Sequence, residues 1–339
     1  MSDRQEGGAT DSMDKFALLV GVSDCAAGLP TLRKARTNGQ ILARSLRETN
    51  SGFQVKWLHN WPQIEMAEAI EQFFRYRQAT DQVLCLISGY GIRDRDGQLY
   101  FATPETVFDH QGNLIRARTL PARFLLNVMD SSPAEQQVLI FDGCVRLPGG
   151  IADTDQELLL EGTFDQMIGD RRILLVNDTY TRHIPEPDSL ESWSYTRYLA
   201  NGLTTGGADQ DCDGQLTVEE LHRYAAAKVQ KAAPAQHPQF YGSPKVASQV
   251  LLQVPSRSPT VQFRQFLEKL AQSDETEIDL TEFRILTGRN RLNALRRHLG
   301  LSPQEASEIE AEVLRPEREY AQRQQLYQDV LAKLAREAE

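Results

Sequence analysis

The stretch Gln136–Phe141 reads QQVLIF and runs directly into Asp-Gly-Cys. A short, nearly continuous apolar run between polar residues is typical of a strand that is buried on both faces of a sheet. Stretches with helical spacing separate this run from three others, which indicates right-handed crossovers between parallel strands. The sequence therefore predicts an α/β fold with a mostly parallel sheet. The three other runs are KFALLVGV at Lys15–Val22, QVLCLIS at Gln82–Ser88 and ILLVN at Ile173–Asn177.

The ends of the predicted strands carry two short signatures, SGYG at 88–91 and DGC at 142–144. In open parallel sheets, chemistry gathers in the loops that follow the carboxyl ends of the strands. Cys144 at such a position suits a nucleophile, because neighbouring backbone N–H groups could stabilise an oxyanion. It equally suits a small residue at a tight strand exit. The residues alone leave both interpretations open.

Composition excludes several classes of protein. The chain has 339 residues, a formal net charge of −10 and four scattered cysteines without a CxxC pair. An acidic chain is a poor ligand for phosphate backbones, and unpaired spacing predicts neither a zinc cluster nor a disulfide framework. No apolar run reaches the roughly 18 residues that a membrane helix needs. With no signal-peptide pattern at the N-terminus, the sequence predicts a cytoplasmic protein without nucleic-acid or membrane partners.

The chain divides into three predicted parts. Residues 1–13 are small and polar, which predicts a disordered leader. The strand-forming runs fall within 14–254, and SRSPT after Pro255 reads as a linker. Residues 255–339 contain only helical patterns, with a helix start at Ser302-Pro303. This small all-helical C-terminal module is interpreted either as a site for a protein partner or as an inert stabilising cap.

A calcium-loop pattern lies at 209–220, DQDCDGQLTVEE. Asp occupies loop positions 1, 3 and 5, Gly the sixth and Glu the twelfth, which is the spacing of an EF-hand loop that supplies oxygen ligands to Ca²⁺. The alternative is a polar turn followed by a helix that is capped at Thr217. The predicted Ca²⁺ ligands are Asp209, Asp211, Asp213, Gln215 and Glu220.

These motifs together resemble the caspase-fold peptidases, and most closely the bacterial metacaspase-like enzymes called orthocaspases. The resemblance is carried by Lys15–Val22, the SGYG stretch, GQLYFAT at 97–103 and QQVLIFDGC, and it covers about residues 14–254. It implies a three-layer caspase-like sandwich with the helical module appended, cysteine-type endopeptidase chemistry and a polypeptide substrate.

The catalytic motifs of that family are only partly present. A Ser-Gly-His-Gly loop supplies the family's general base, and here Tyr90 stands at the position of the histidine. An Asp-x-Cys segment supplies the nucleophile, which Cys144 matches. Asp142 matches an acid that lines the pocket for a basic substrate side chain. A further family acid lies in an Asn-Asp pair, which reads Asn38-Gly39 here.

The replaced histidine has a physical consequence. A free thiol has a pKa of about 8.5, so only a few per cent is thiolate at neutral pH, and a tyrosine is a poor base. Loss of general acid–base help costs about 10²–10⁴-fold, or about 3–5 kcal/mol. His59 and His183 lie just past strand ends, but each is better interpreted as a solvated loop residue. Arg146 could favour the thiolate but cannot relay a proton.

Two functions follow. The first is a pseudo-peptidase, a regulatory or interaction protein with a calcium-binding loop. The second is an active cysteine endopeptidase that cleaves after Arg or Lys with Cys144 as nucleophile. Tyr90 favours the first, and the retained Cys144 and Asp142 keep the second open.

Overall fold

The computed structural model describes residues 13–25, 29–49, 51–146, 164, 167–178, 195–209, 211, 213–234, 236–242, 248–253, 259–272 and 292–337. The chain forms two compact units. The first takes in Met1–Arg47, Gly52–Thr181 and Phe240–Val246, and the second takes in Glu48–Ser51, Arg182–Gln239 and Ala247–Glu339. The predicted leader, apart from Met13, and the predicted boundary between 254 and 255 lie outside the described residues.

The strands and helices alternate along most of the chain. None of the described helices is long and apolar enough to cross a membrane. In chain order the elements are β1 (Lys15–Gly21), α1 (Arg33–Glu48), β2 (Phe53–His59), α2 (Gln63–Arg75), β3 (Gln82–Arg93), β4 (Leu99–Ala102), β5 (Thr119–Pro121), α3 (Ala122–Ser131), β6 (Gln136–Arg146), β7 (Arg172–Asp178), α4 (Tyr195–Thr205), β8 (Gln215–Thr217), α5 (Val218–Ala232), β9 (Gln239–Tyr241), β10 (Val250–Gln253), α6 (Pro259–Gln272), α7 (Pro303–Val313) and α8 (Arg315–Glu337).

The first unit is built around one sheet with the strand order β2-β1-β3-β6-β7-β9. The pairs β1–β2, β1–β3, β3–β6 and β6–β7 are all parallel, whereas β4 adds antiparallel to the far part of β3. Residues 17–20 of β1 are at most 2% exposed, as the continuous apolar run predicts for a strand covered on both faces. The predicted α/β fold with a mostly parallel sheet is confirmed.

Helices cover both faces of this sheet. On one face, a Cβ atom built on Gly21 of β1 would lie 2.9 Å from the carbonyl oxygen of Ala35, so α1 packs closely there. On the other face, Leu18 of β1 shares a core with Ile70 of α2 and Leu125 of α3. Because side chains alternate along a strand, these contacts lie on opposite sides of the sheet. This is the predicted three-layer sandwich.

Two strands are longer than their apolar runs. β3 continues past Ser88 and β6 continues past Phe141, so the SGYG and DGC signatures lie within strands and the prediction of loops there was wrong. The reason is that Gly89 and Gly143 are register partners. A Cβ atom at Gly143 would lie 2.0 Å from the Gly89 carbonyl oxygen, so only glycine allows the strands to stay paired. At this position glycine allows β3 and β6 to remain paired and does not end either strand.

The second unit contains α4 and α5, the antiparallel pair β8–β10, and the C-terminal helices. α6 and α7 bury Phe263, Leu267 and Ile309 in a core of their own. α7 begins as the sequence predicts, with Pro303 in its first turn and a capping box in which Ser302 and Glu305 exchange side-chain and backbone hydrogen bonds. The predicted C-terminal helices are confirmed.

Candidate functional site

The nucleophile and base positions of the resemblance lie next to each other on neighbouring strands. Tyr90 of β3 is the register partner of Cys144 of β6, and Ser88 is the register partner of Asp142. Parallel neighbours lie about 4.8 Å apart and register partners point to the same face. The fold therefore brings the thiol and the phenol together, with the phenol at the position to which the predicted resemblance assigns an imidazole.

An apolar cluster surrounds this pair. Tyr90 is 4% exposed and Cys144 is 7% exposed. Arg146 places its guanidinium over the ring of Phe108, 4.8 Å from the ring centroid, and thereby extends the cover. A thiol enclosed in this way offers little surface to a peptide carbonyl. The other members of the cluster are Leu29, Ile92 and Ala102, with Cys25, Leu32, Phe108 and Leu114 packed against it.

His59 does not take the place of the missing base. It ends β2, which is separated from β6 by β1 and β3, a distance of about 14 Å across the sheet at about 4.8 Å per strand. Its Nε2 atom lies 2.9 Å from the Ser23 hydroxyl, and its ring stacks on Trp57 with 5.7 Å between centroids. Burial, followed by the charge of Arg36, lowers the pKa of His59 below its ordinary value of 6.5. His183 lies outside the described residues.

Asp142 is buried and held by two amides. Asn38 of α1 donates to its Oδ2 atom at 3.2 Å, and Asn177 of β7 donates to its Oδ1 atom at 2.9 Å. Each oxygen of this 5% exposed carboxylate therefore accepts a hydrogen bond from the protein itself. The arrangement joins α1, β6 and β7. Asp142 lies at the predicted edge of the sheet, where it links these three elements.

An aromatic ring fills the space beside Gly39, the position at which the resemblance predicts a missing acid. A Cβ atom at Gly39 would lie 2.1 Å from two ring carbons of Trp57, and one at Gly21 would lie 2.3 Å from the same ring. The indole therefore occupies the space into which a side chain at position 39 would extend. From the sequence, Gly39 reads only as a missing acid and Trp57 only as core packing. Gly21 and Gly39, two small residues, together with the large ring of Trp57 were the sequence signal from which this packing could have been predicted.

A polar cluster at the ends of β1 and β2 had no sequence signal. The Asn60 side chain accepts from the backbone N–H of Ser23 at 2.9 Å and donates to the Asp24 carboxylate at 2.8 Å. Asn60 has a φ of 52°, a left-handed conformation that asparagine tolerates better than most residues. These bonds tie the two strand ends together beside His59.

A family model described as the caspase domain matches residues 14–247. The chain belongs to the caspase domain family. The predicted resemblance to caspase-fold peptidases is thus confirmed at the level of the family, peptidase C14.

A crystal structure of a Geobacter sulfurreducens protein is similar to this caspase domain protein, with a TM-score of 0.47 and 14% sequence identity. The similarity covers 71% of this chain and 99% of that chain. No curated protein sequence matches this chain significantly.

The caspase domain also contains the predicted calcium loop. One carboxylate oxygen each from Asp209, Asp211 and Asp213 lies within 4.8 Å of the others. Three hard oxygen donors at this separation fit Ca²⁺, which takes six to eight oxygen ligands. The structure therefore brings together the ligands predicted at loop positions 1, 3 and 5.

The twelfth loop position is arranged differently. The Glu220 carboxylate accepts from the backbone N–H of Thr217 at 3.0 Å and from its hydroxyl at 2.7 Å, while the Thr217 hydroxyl accepts from the Glu220 N–H. This is a capping box at the start of α5. The Glu220 carboxylate is thus turned toward the helix cap and is not among the three clustered carboxylates. The backbone N–H of Gln215 donates to Asp213 at 2.6 Å, which places Gln215 in the same turn.

Proposed function

We propose that this caspase domain protein is a pseudo-peptidase that acts as a regulatory or interaction protein. The observation that carries the proposal is the pairing of Tyr90 with Cys144 in register, inside an apolar cluster. An imidazole activates a thiol and then protonates the leaving amine, and a phenol at that position does neither efficiently. The enclosed thiol gives a second, independent reason for low activity.

The alternative is an active endopeptidase with Cys144 as nucleophile and Asp142 as the residue that binds a basic side chain. Asp142 does lie two residues before Cys144 at the same edge of the sheet. Its two oxygens already accept from Asn38 and Asn177, which leaves less of the carboxylate for an incoming guanidinium or ammonium. The geometry thus favours a structural role for Asp142.

A peptidase assay separates the two functions. Purified protein is incubated with fluorogenic peptides that end in Arg or Lys, with and without Ca²⁺, beside the Cys144→Ala variant. We expect both proteins to give the same background rate. Turnover that is present in the wild type and absent in Cys144→Ala contradicts the proposal and establishes the endopeptidase.

We also propose that the loop 209–220 binds Ca²⁺ through Asp209, Asp211 and Asp213, with the carbonyl of Gln215. The clustering of the three carboxylates supports this proposal. The two hydrogen bonds from Thr217 to Glu220 both use Oε2, so binding of Ca²⁺ through both Glu220 oxygens requires the carboxylate to leave Thr217. Bound Ca²⁺ would offset the negative charge of the three neighbouring carboxylates.

Calorimetry with CaCl₂ tests the calcium proposal. We expect heat of binding in the wild type, a weaker signal in Glu220→Gln, and an unchanged signal in the control Glu219→Gln. Glu219 is the exposed neighbour that pairs with Arg223, so its loss leaves the loop intact. Absence of heat in the wild type removes calcium from the proposed function.

We further propose that the protein acts in the cytoplasm and engages a protein partner through its C-terminal helices rather than a nucleic acid or a membrane. The net charge of −10 supports the exclusion of nucleic acid, since phosphate backbones attract clustered Lys and Arg. Fractionation of cells that express the tagged protein tests the location. Recovery in the membrane or nucleoid fraction contradicts it.

A further inference from the structure

The second unit contains a cavity of about 480 Å³. It is bounded by the end of α4, by β10, by the first turns of α6 and by α7. Ligand sites in proteins have volumes of about 300–1,000 Å³. The cavity is therefore large enough for two or three side chains of a bound polypeptide. None of the predicted catalytic or calcium-binding residues lines it.

The inner wall of the cavity is aliphatic. Leu203, Leu252, Val261 and Ile309 all line it, and each is no more than 6% exposed. Because these four side chains come from four different elements, the wall is set by the packing of the whole unit rather than by one loop. A wall of this kind complements an aliphatic side chain.

The α7 side of the cavity is acidic. Three carboxylates, those of Glu305, Glu308 and Glu312, line the cavity against a single guanidinium, that of Arg264. Arg264 is 4% exposed and pairs with Glu312 at 2.5 Å, so these two charges offset each other. Glu305 and Glu308 remain, both exposed, and give the rim an excess of two negative charges.

The two exposed carboxylates accept hydrogen bonds from different donors. Glu305 is fixed by the capping box, in which its carboxylate accepts from the Ser302 N–H at 2.8 Å. Hydrogen bonds from Ser302 lower the pKa of Glu305, so it stays ionised at neutral pH. Glu308 lies one helical turn further along α7 and accepts from Gln304 at 3.1 Å. Residues three apart on a helix share a face, so both carboxylates lie on one face of α7.

We propose that this cavity binds a segment of a partner protein that presents a Lys or Arg side chain next to an aliphatic residue. The aliphatic residue contacts the inner wall, and the cation meets Glu305 and Glu308. An anionic ligand would meet two uncompensated carboxylates, and a purely apolar segment would cover them without a partner. The proposal rests on the proposed interaction role and names the chemistry of the partner.

A peptide-binding measurement tests this. The probe is a fluorescein-labelled pentapeptide amide, Gly-Leu-Arg-Leu-Gly, titrated with the full chain at low ionic strength and followed by fluorescence anisotropy. Two matched peptides carry citrulline in place of arginine, or serine in place of both leucines. We expect saturable binding of the first peptide and about tenfold weaker binding of the citrulline peptide, because two exposed ion pairs of up to about 1 kcal/mol each are lost. The serine peptide should also bind more weakly, because it loses its aliphatic contacts.

Charge-neutral variants locate the site. Glu305→Gln preserves the capping box, since Gln serves at that position as well as Glu, and Glu308 is exposed, so neither Glu305→Gln nor Glu308→Gln threatens folding. We expect the double variant to weaken binding about tenfold or more, and Glu310→Gln, on the same helix but outside the cavity, to leave it unchanged.

Three results overturn the proposal: no saturable binding, equal binding of the citrulline peptide, or equal affinity in the double variant. Repeating the titration in Cys144→Ala keeps the result independent of catalysis. Peptidase turnover would refute the pseudo-peptidase function and leave this binding measurement intact, so the two failures are distinguishable.

Discussion

The packing of Trp57 against Gly39 predicts that Gly39→Ala lowers the free energy of unfolding. Gly39 lies inside α1, where Gly→Ala normally stabilises a helix by about 1 kcal/mol. Here a Cβ atom would lie 2.1 Å from two carbons of the Trp57 ring. The ring also fills the space beside Gly21 and stacks on His59, so moving it aside gives up both contacts. Overpacking of this kind costs about 1–3 kcal/mol. We therefore expect Gly39→Ala to destabilise the protein by up to about 2 kcal/mol.

A double-mutant cycle isolates the clash. Gly39→Ala, Trp57→Ala and the double variant are unfolded with urea, and the free energies of unfolding are compared with the wild type. In the Trp57→Ala background the clash is gone, so Gly39→Ala should stabilise by about 1 kcal/mol. The coupling free energy should then reach about 1–3 kcal/mol. A coupling below about 0.5 kcal/mol, or a stabilising Gly39→Ala in the wild type, would refute the reasoning.

Three further predictions concern the same edge of the sheet. Asp142→Ala removes the acceptor of the Asn38 and Asn177 amides and should cost about 1–3 kcal/mol in chemical denaturation, with a smaller cost for Asp142→Asn, which keeps one acceptor oxygen. An Asp142→Ala variant as stable as the wild type would contradict the linking role. Gly143→Ala places a Cβ atom 2.0 Å from the Gly89 carbonyl oxygen and should abolish the cooperative thermal transition of the wild type or lower its midpoint by several degrees, so an unchanged midpoint contradicts the observed pairing. Burial lowers the pKa of His59, so the unfolded chain binds that proton more readily and stability should fall as the pH drops below about 6.5. His59→Gln should lessen that slope without abolishing it, because burial also lowers the pKa of His222, to about 4, and His222 therefore acts in the same direction. An unchanged slope would show that His59 contributes nothing to it.

The fold follows from the sequence wherever burial alone decides an element. KFALLVGV and QQVLIF are continuous apolar runs, and both became central strands covered on two faces. Register does not follow in the same way. The pairing of Tyr90 with Cys144 depends on the approach of Gly89 to Gly143, two glycines 54 positions apart that read locally as loop residues. Pairs of distant glycines carry no local signal, so sequence spacing alone placed these residues just beyond the strands.

The calcium loop shows a second limit of sequence reasoning. Thr217 and Glu220 are positions 9 and 12 of an EF-hand loop, and they are also the first and last residues of a Thr-x-x-Glu capping box. One carboxylate satisfies either pattern, and spacing cannot decide which contact it makes. The three aspartates also accept hydrogen bonds from backbone N–H groups of the loop, and their carboxylates cluster as the spacing predicts.

The two departures from the family's catalytic pattern share a physical character. At position 90 a titratable imidazole is replaced by a phenol that is 4% exposed and packed among aliphatic side chains. At position 39 the acid is absent, and the Trp57 ring fills the space. In both places packing occupies the volume that acid–base chemistry would need, so restoring either group would insert a polar side chain into an apolar environment. Moving a charged group from water into a protein interior costs several kcal/mol, a large share of the 5–15 kcal/mol that typically stabilises a domain. If the proposed pseudo-peptidase function holds, a single Tyr90→His substitution should therefore restore less activity than the missing base alone would suggest.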